Sequence, residues 1–256
     1  KLREAQREAQ RKSGELKQAQ KMEELINLSK EIAAILERHV LSLSSMKDLH
    51  NEHPNGRTPR SARVKLRGLA TEQVALSKEA EFLLTEVNTG GADAIPFLMS
   101  KLVDDHAWLG RALAPPSYRC GELEIETGED IRLGWIEILE AIQTEAERMR
   151  EQMEGGNMSA GPQSRRPLVR FAEELQLLKR LQTRHSKKLS RFTHRRALLT
   201  EAGMDIDQDD LRELDRLLLT QEESRQVYEA ILARLEKEPS PAASGGDPPT
   251  EEEEVF

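Results

Sequence analysis

Histidines, a single cysteine and two runs of charge are the residues here whose types and spacing could do chemistry. His50 and His53 stand three apart beside a turn, a spacing compatible with the start of a metal site. No third or fourth ligand accompanies them, and no Glu-x-x-His helix motif of the di-iron type occurs. His39, His106 and His185 fall on apolar helical stripes, where packed rings are expected ahead of ligands or bases. Because histidine titrates near neutral pH, a pH-sensitive seam is the lesser reading there. Cys120 is the only cysteine, so the sequence supports neither an intrachain disulfide nor a thiolate metal cluster. With no neighbouring base it reads as a half-buried thiol, not a nucleophile. Asp205, Asp207 and Asp209 resemble the opening of a calcium loop. Asp210 then replaces the turn glycine and Arg216 stands where the closing glutamate belongs, so capping and helix-dipole compensation are expected instead. Gly-rich phosphate loops, serine elbows and zinc-hydrolase signatures are absent from the sequence. The expectation is a non-enzymatic chain with no catalytic, cofactor-binding or metal-binding residues and no cofactor.

The sharpest charged feature is a basic run. Lys179, Arg180, Arg184, Lys187, Lys188, Arg191, Arg195 and Arg196 lie within residues 176–196, which contain no acid. Such a run could follow a phosphate backbone, and this is the alternative function: polyanion or nucleic-acid binding. Few aromatics interleave with it, so stacking of single strands is unsupported. The overall charge of -8 also argues against non-specific nucleic-acid binding. The favoured reading is a solvated helix face, answered by the acidic sixth helix or by the acidic tail. Residues 205–223 carry eight Asp or Glu against two Arg.

What must position these residues is a set of long helices. Charged residues make up 33% of the chain and aromatics only 4%, a balance that suits narrow apolar stripes better than a thick core. Residues 1–50 read as one helix with the seam Leu25, Leu28, Ile32, Ile35, His39, Ser42, Met46 and Leu49, alternating by three and four. Pro54, Asn55-Gly56 and Pro59 break it. A second helix carries Leu66, Leu69, Gln73, Leu76, Ala80, Leu83 and Val87, and ends at Gly90-Gly91. Asp93 caps a third, with Met99, Leu102, His106, Leu109 and Leu113 as its stripe, stopped by Pro115-Pro116. Gly121 and Gly128 each cost a helix about 1 kcal/mol, which favours a break over 117–127 and a cap at Thr127. Ile131, Trp135, Ile138, Ile142, Glu145 and Met149 then mark a fourth helix, with Trp108 and Trp135 as core or interface anchors. No run reaches the length and apolarity of a membrane span.

Residues 154–166 have the composition of a flexible linker and form the expected boundary between a helical region at 51–153 and an antiparallel hairpin at 167–238. The fifth helix offers Leu175, Leu178, Gln182, His185, Leu189 and Phe192 as its seam, the sixth Leu211, Leu218, Arg225, Tyr228 and Leu232. If Leu199 packs beside Leu211, then Phe192 meets Leu218, Leu189 faces Gln221, His185 faces Arg225, Gln182 faces Tyr228, and Leu178 meets Leu232. Polar residues so aligned would specify the register at a cost in stability. From Pro239 to Phe256 the proline, glycine and acid content predicts a disordered tail.

The segments PLVRFAEELQLLKRLQ (167–182) and EDIRLGWIEILEAIQTEAERMR (129–150), with the 63–113 region, resemble parts of uncharacterised bacterial proteins rich in coiled coils. Such proteins often carry a signal peptide. A chain that begins at Lys1 in place of methionine fits a processed or trimmed form. The resemblance thus implies an extracytoplasmic site, periplasmic or secreted, ahead of a cytoplasmic one, and it brings no activity. The resulting expectation is an all-α, elongated long-helix bundle with coiled-coil hairpins and a disordered acidic C-terminal tail. Its leading role is structural or scaffold, binding a protein helix, with self-association into a homodimer as one form of that contact.

Overall fold

The computed structural model describes residues 2–53, 59–87, 94–154, 169–201 and 208–237. Among them the regular structure is entirely helical: α1 (Leu2–Glu52), α2 (Arg60–Val87), α3 (Ala94–Leu113), α4 (Glu122–Glu154), α5 (Phe171–Glu201) and α6 (Gln208–Lys237). The fold is all-α, as composition and periodicity predict. At 51 residues, α1 is about 75 Å long at 1.5 Å per residue.

The stripes read from the sequence become the buried faces of the first four helices. Leu25, Ile32, Ile35, Met46 and Leu49 of α1 join Leu66, Leu76 and Leu83 of α2, Met99, Leu102 and Leu109 of α3, and Ile131, Trp135 and Ile138 of α4 in one core. Each leucine or isoleucine so buried stabilises by about 1.5–3 kcal/mol before entropy is counted. Upstream of Leu25 the α1 surface is glutamine, alanine and charge, and Met22 is the partly buried residue there that packs on the core. The helices alternate in direction. Arg38 of α1 reaches Glu72 at 2.8 Å and Glu79 at 2.6 Å on α2. Ser77 of α2 donates to the Val103 carbonyl of α3 at 3.0 Å. Lys47 of α1 pairs with Glu129 near the start of α4.

The expected break over 117–127 is shorter than the sequence suggests. The fourth helix starts at Glu122, runs through Thr127, and carries Gly128 inside it. Two contacts account for this. The Gly121 amide donates to the Glu124 carboxylate at 2.9 Å, the half of a capping box that needs no side chain at the cap. At Gly128 an added Cβ would stand 2.7 Å from Leu43 Cδ1, so the glycine admits α1 close against α4. Gly134 does the same for Leu102 of α3, again at 2.7 Å.

The second unit, α5 with α6, is an antiparallel hairpin laid on α3 and α4. Val169, Leu177 and Leu181 belong to the same core as the four-helix bundle. A smaller cluster of Ala94, Leu178 and Ile231, with Phe97, Phe171, Leu175 and Val227 around it, ties the base of the hairpin to the start of α3. Glu174, 1% exposed, holds this corner together. It accepts from the Ala94 amide at 3.2 Å and from Arg234 at 3.0 Å, which satisfies one N-terminal donor of α3. The Asp93 cap, the linker beyond Glu154 and the acidic tail lie outside the described residues.

Candidate functional site

Three arrangements of polar and apolar residues stand out: a buried layer in the bundle, an ion-paired face on α5, and an open groove on the hairpin.

The buried layer uses polar residues that interrupt the apolar seams. His39, Gln73, His106 and Trp135 are each 0% exposed, and Ser42 is 4% exposed. Indole N–H only donates, so Trp135 Nε1 donates a hydrogen bond to His106 Nε2, 3.0 Å away. His106 is therefore the Nδ1–H tautomer and donates from Nδ1 to Gln73 Oε1 at 2.7 Å. Gln73 Nε2 in turn donates to Ser42 Oγ at 2.8 Å. One directional chain crosses α4, α3, α2 and α1. Beside it, His39 Nε2 donates to the Gly128 carbonyl at 2.8 Å and its ring meets His106 edge-on at 5.0 Å. Burial pushes the pKa of both rings down, for His106 well down, where the neighbouring His39 adds to the effect. Both histidines are packed, neutral and hydrogen-bonded, as their seam positions led us to expect. The layer has the chemistry of a register lock, since a slip of any one helix would strand several of these buried groups.

The ion-paired face gives the basic run an acidic neighbour beyond the sixth helix and the tail expected from the sequence. Arg180 meets Glu140 at 2.9 Å, Arg184 meets Glu137, Lys188 meets Asp130 at 2.6 Å, and Arg191 meets Glu126 at 2.7 Å. Among the described residues, these four pairings place the answering acids on α4. The reason is that α5 packs against α4 along this face, placing its 180, 184, 188 and 191 positions over an acidic stripe. Lys179 and Lys187 point away and are exposed. The side chain of Arg195 lies outside those described. His185 sits between the two faces, and burial with nearby Lys188 and Arg184 lowers its pKa to about 4.

The groove corrects the expected seam of α6. Leu217, Thr220, Ser224 and Ile231 are buried, whereas Leu211, Leu218 and Tyr228 are 46%, 57% and 43% exposed and Arg225 is exposed as well. Each buried position precedes by one a residue of the three-four pattern read from the sequence, so the helix is turned by about 100° from that reading. α6 docks on α3 as well as on α5, through Arg216 on Asp105 at 2.6 Å and Lys101 on Glu223, and the buried face points between those two neighbours. Arg225 pairs within α6 instead, with Glu222 at 2.6 Å and with Glu229, and not with His185. Leu178 clusters with Ile231, the neighbour of the expected Leu232, which is itself half-buried. Gln182, His185 and Leu189 border one groove with Leu217, Leu218 and Gln221. Tyr228 and Arg225, expected opposite Gln182 and His185, are not among the residues lining that groove. Phe192 and Leu175 are half-buried.

Among the described residues, the remaining candidates each have a packing or hydrogen-bonding partner. The Cys120 thiol donates to the Met46 carbonyl at 3.4 Å, and burial, with Glu124 nearby, pushes its pKa up to about 11, so it is not a thiolate at neutral pH. His50 Nδ1 lies 3.2 Å from the Cys120 carbonyl and His53 lies 4.0 Å from Glu52. Among the described residues no three His, Cys, Asp or Glu gather as metal ligands, and no helix is long and apolar enough to cross a membrane. Asp205 and Asp207, and the side chain of Asp209, fall outside the described residues. Comparison with protein-family models, with curated proteins and with solved structures finds no match for this chain.

Proposed function

We infer that this protein is a non-enzymatic helical scaffold that binds a further helix, in the first instance from a second copy of itself, along the outward groove of the α5–α6 hairpin. The carrying observation is the exposed apolar stripe: Leu211, Leu218 and Tyr228 keep the three-four spacing of a coiled-coil seam on α6, with Leu189 across the groove on α5 at 44% exposed. Contiguous leucines left in water mark interaction surfaces more often than isolated ones do. Charge favours a second copy. A two-fold axis parallel to the helices would set Lys179 and Lys187 of one hairpin against Asp215, Glu222 and Glu229 of the other, extending the seam with complementary flanks. Polyanion contact along α5 is the lesser reading, since Arg180, Arg184, Lys188 and Arg191 already carry α4 carboxylates as partners.

Sedimentation of the full chain across a range of concentrations tests this. A dimer that becomes monomeric in L211D/L218D, with helical circular dichroism retained, is the expected result. A chain monomeric throughout, or a dimer indifferent to those substitutions, would overturn it.

A further inference from the structure

A second concave surface lies on the opposite side of α6, at the corner where α3 ends. Trp108, Arg111, Ser117, Arg119, Arg212 and Arg216 line a cleft of about 310 Å³ there. Four arginines thus line one concavity of a chain whose overall charge is -8. We propose that this cleft is a binding site for a phosphate group.

Three features give the site its form. The first is preorganisation. Arg216 is held by Asp105 at 2.6 Å and lies over the Trp108 ring at 5.4 Å, while Arg119 is held by buried Glu124 at 3.4 Å. Arg216 and Arg119 are therefore anchored before any ligand arrives, which lowers the ordering cost of binding. Arg111 and Arg212 are exposed and complete the ring of donors from α3 and α6.

The second is the turn that carries Ser117 and Arg119. The Tyr118 amide donates to Ala114 O at 3.0 Å and the Arg119 amide to Ala112 O at 2.9 Å. Tyr118 sits at φ 44°, a left-handed conformation that a bulky residue rarely adopts. Arg67 holds its hydroxyl at 2.9 Å and Arg63 lies over its ring at 5.6 Å. The α2 arginines therefore pin the strained residue from outside, and the turn keeps Ser117 and Arg119 on the wall of the cleft.

The third is the match of ligand to donors. A guanidinium fork reads two oxygens of an oxyanion at once. One fork is enough for a carboxylate, whereas converging forks with a serine hydroxyl suit the three or four oxygens and double charge of a phosphate. Low-dielectric walls at Trp108 and Ala112 would focus the net positive field into the cleft, with Asp105 and Glu124 offsetting part of the charge of Arg216 and Arg119.

Calorimetric titration of the full chain with inorganic phosphate and with pyrophosphate, at matched ionic strength in chloride, tests the site. Saturable one-to-one binding is expected, with a change in tryptophan emission from Trp108, because Trp135 is sealed in the core. In R111A/R212A the affinity should fall by about tenfold or more, with the helical signal intact. Absence of saturable binding to either anion, binding that leaves tryptophan emission unchanged, or an affinity that survives in a folded R111A/R212A protein would each refute the proposal.

Discussion

Trp135 on α4 and His106 on α3 share a hydrogen bond of 3.0 Å in a layer sealed from solvent, and the indole's inability to accept dictates the tautomer of the imidazole. That one bond orients the remaining chain to Gln73 and Ser42. W135F keeps an aromatic ring but removes the donor, leaving His106 Nε2 unsatisfied and a small void. A loss of about 2–4 kcal/mol is expected from the stranded acceptor and the lost volume together. Urea unfolding followed by far-ultraviolet circular dichroism measures it. An unchanged midpoint would show that the layer contributes nothing to stability.

The same layer makes stability depend on pH in a defined direction. His39 and His106 titrate below their ordinary value of 6.5 in the folded chain, and His185 at about 4. The unfolded chain therefore binds more protons than the folded one once pH drops below 6.5. The stabilisation is complete above that pH and is lost progressively as pH falls towards the folded values. Each such histidine contributes a slope of about 1.4 kcal/mol per pH unit within its window. Unfolding midpoints should hold steady between pH 7 and 8 and decline between pH 6 and 5, above the range where most carboxylates protonate. H185Q should make that decline shallower. A midpoint flat from pH 8 to pH 5 would contradict it.

The contrast between these histidines and the α6 seam indicates what a sequence can carry. In α1 to α4 the three-four pattern picks out the buried stripe even though Val40, Leu41, Phe82 and Leu133 lie exposed off it, so seam positions such as Ile32, Leu76, Leu109 and Ile138 were legible, as was the placing of His39, Gln73 and His106 on those seams. That the three meet in one layer was not, because it depends on the relative heights of helices joined by connections whose geometry periodicity does not encode. In α6 the run Leu217-Leu218-Leu219 puts leucines around most of the helix, and contact with α3 selects Leu217 over Leu218 for burial. The α4 partners of the α5 basic run were hidden for a related reason. Glu126, Asp130, Glu137 and Glu140 look like any solvated helical face until α5 is laid on them.

Glycines inside helices separate close approach from mere tolerance. Gly68 of α2 has nothing within 4 Å of an added Cβ, whereas at Gly128 the Cβ would meet buried Leu43 at 2.7 Å. G68A should stabilise the protein by about 0.5–1 kcal/mol through helix propensity and a less flexible unfolded chain. G128A has the same propensity gain, but Leu43 must be displaced from a packed core, so a net loss of about 1–3 kcal/mol is expected. Thermal unfolding of the two variants side by side should give shifts of opposite sign. Equal shifts would mean that α1 and α4 do not approach as closely as described.

The ion pairs between α5 and α4 differ in burial, and the difference sets their worth. Arg184 and Glu137 are each 14% exposed at the side chain, while Arg180 and Glu140 are 47% and 57% exposed. Water screens the outer pair, so E140Q should cost less than about 1 kcal/mol. E137Q leaves the Arg184 charge in a mostly enclosed site without its carboxylate, and a loss of about 2–4 kcal/mol is expected. Combining E137Q with R184M removes the stranded charge and should recover a large part of that loss. A double-mutant cycle measured by chemical denaturation at moderate salt reads the coupling directly. Coupling as weak for Arg184–Glu137 as for Arg180–Glu140 would mean that α5 is held on α4 by its apolar residues Leu177 and Leu181 alone, with the charges indifferent to the docking.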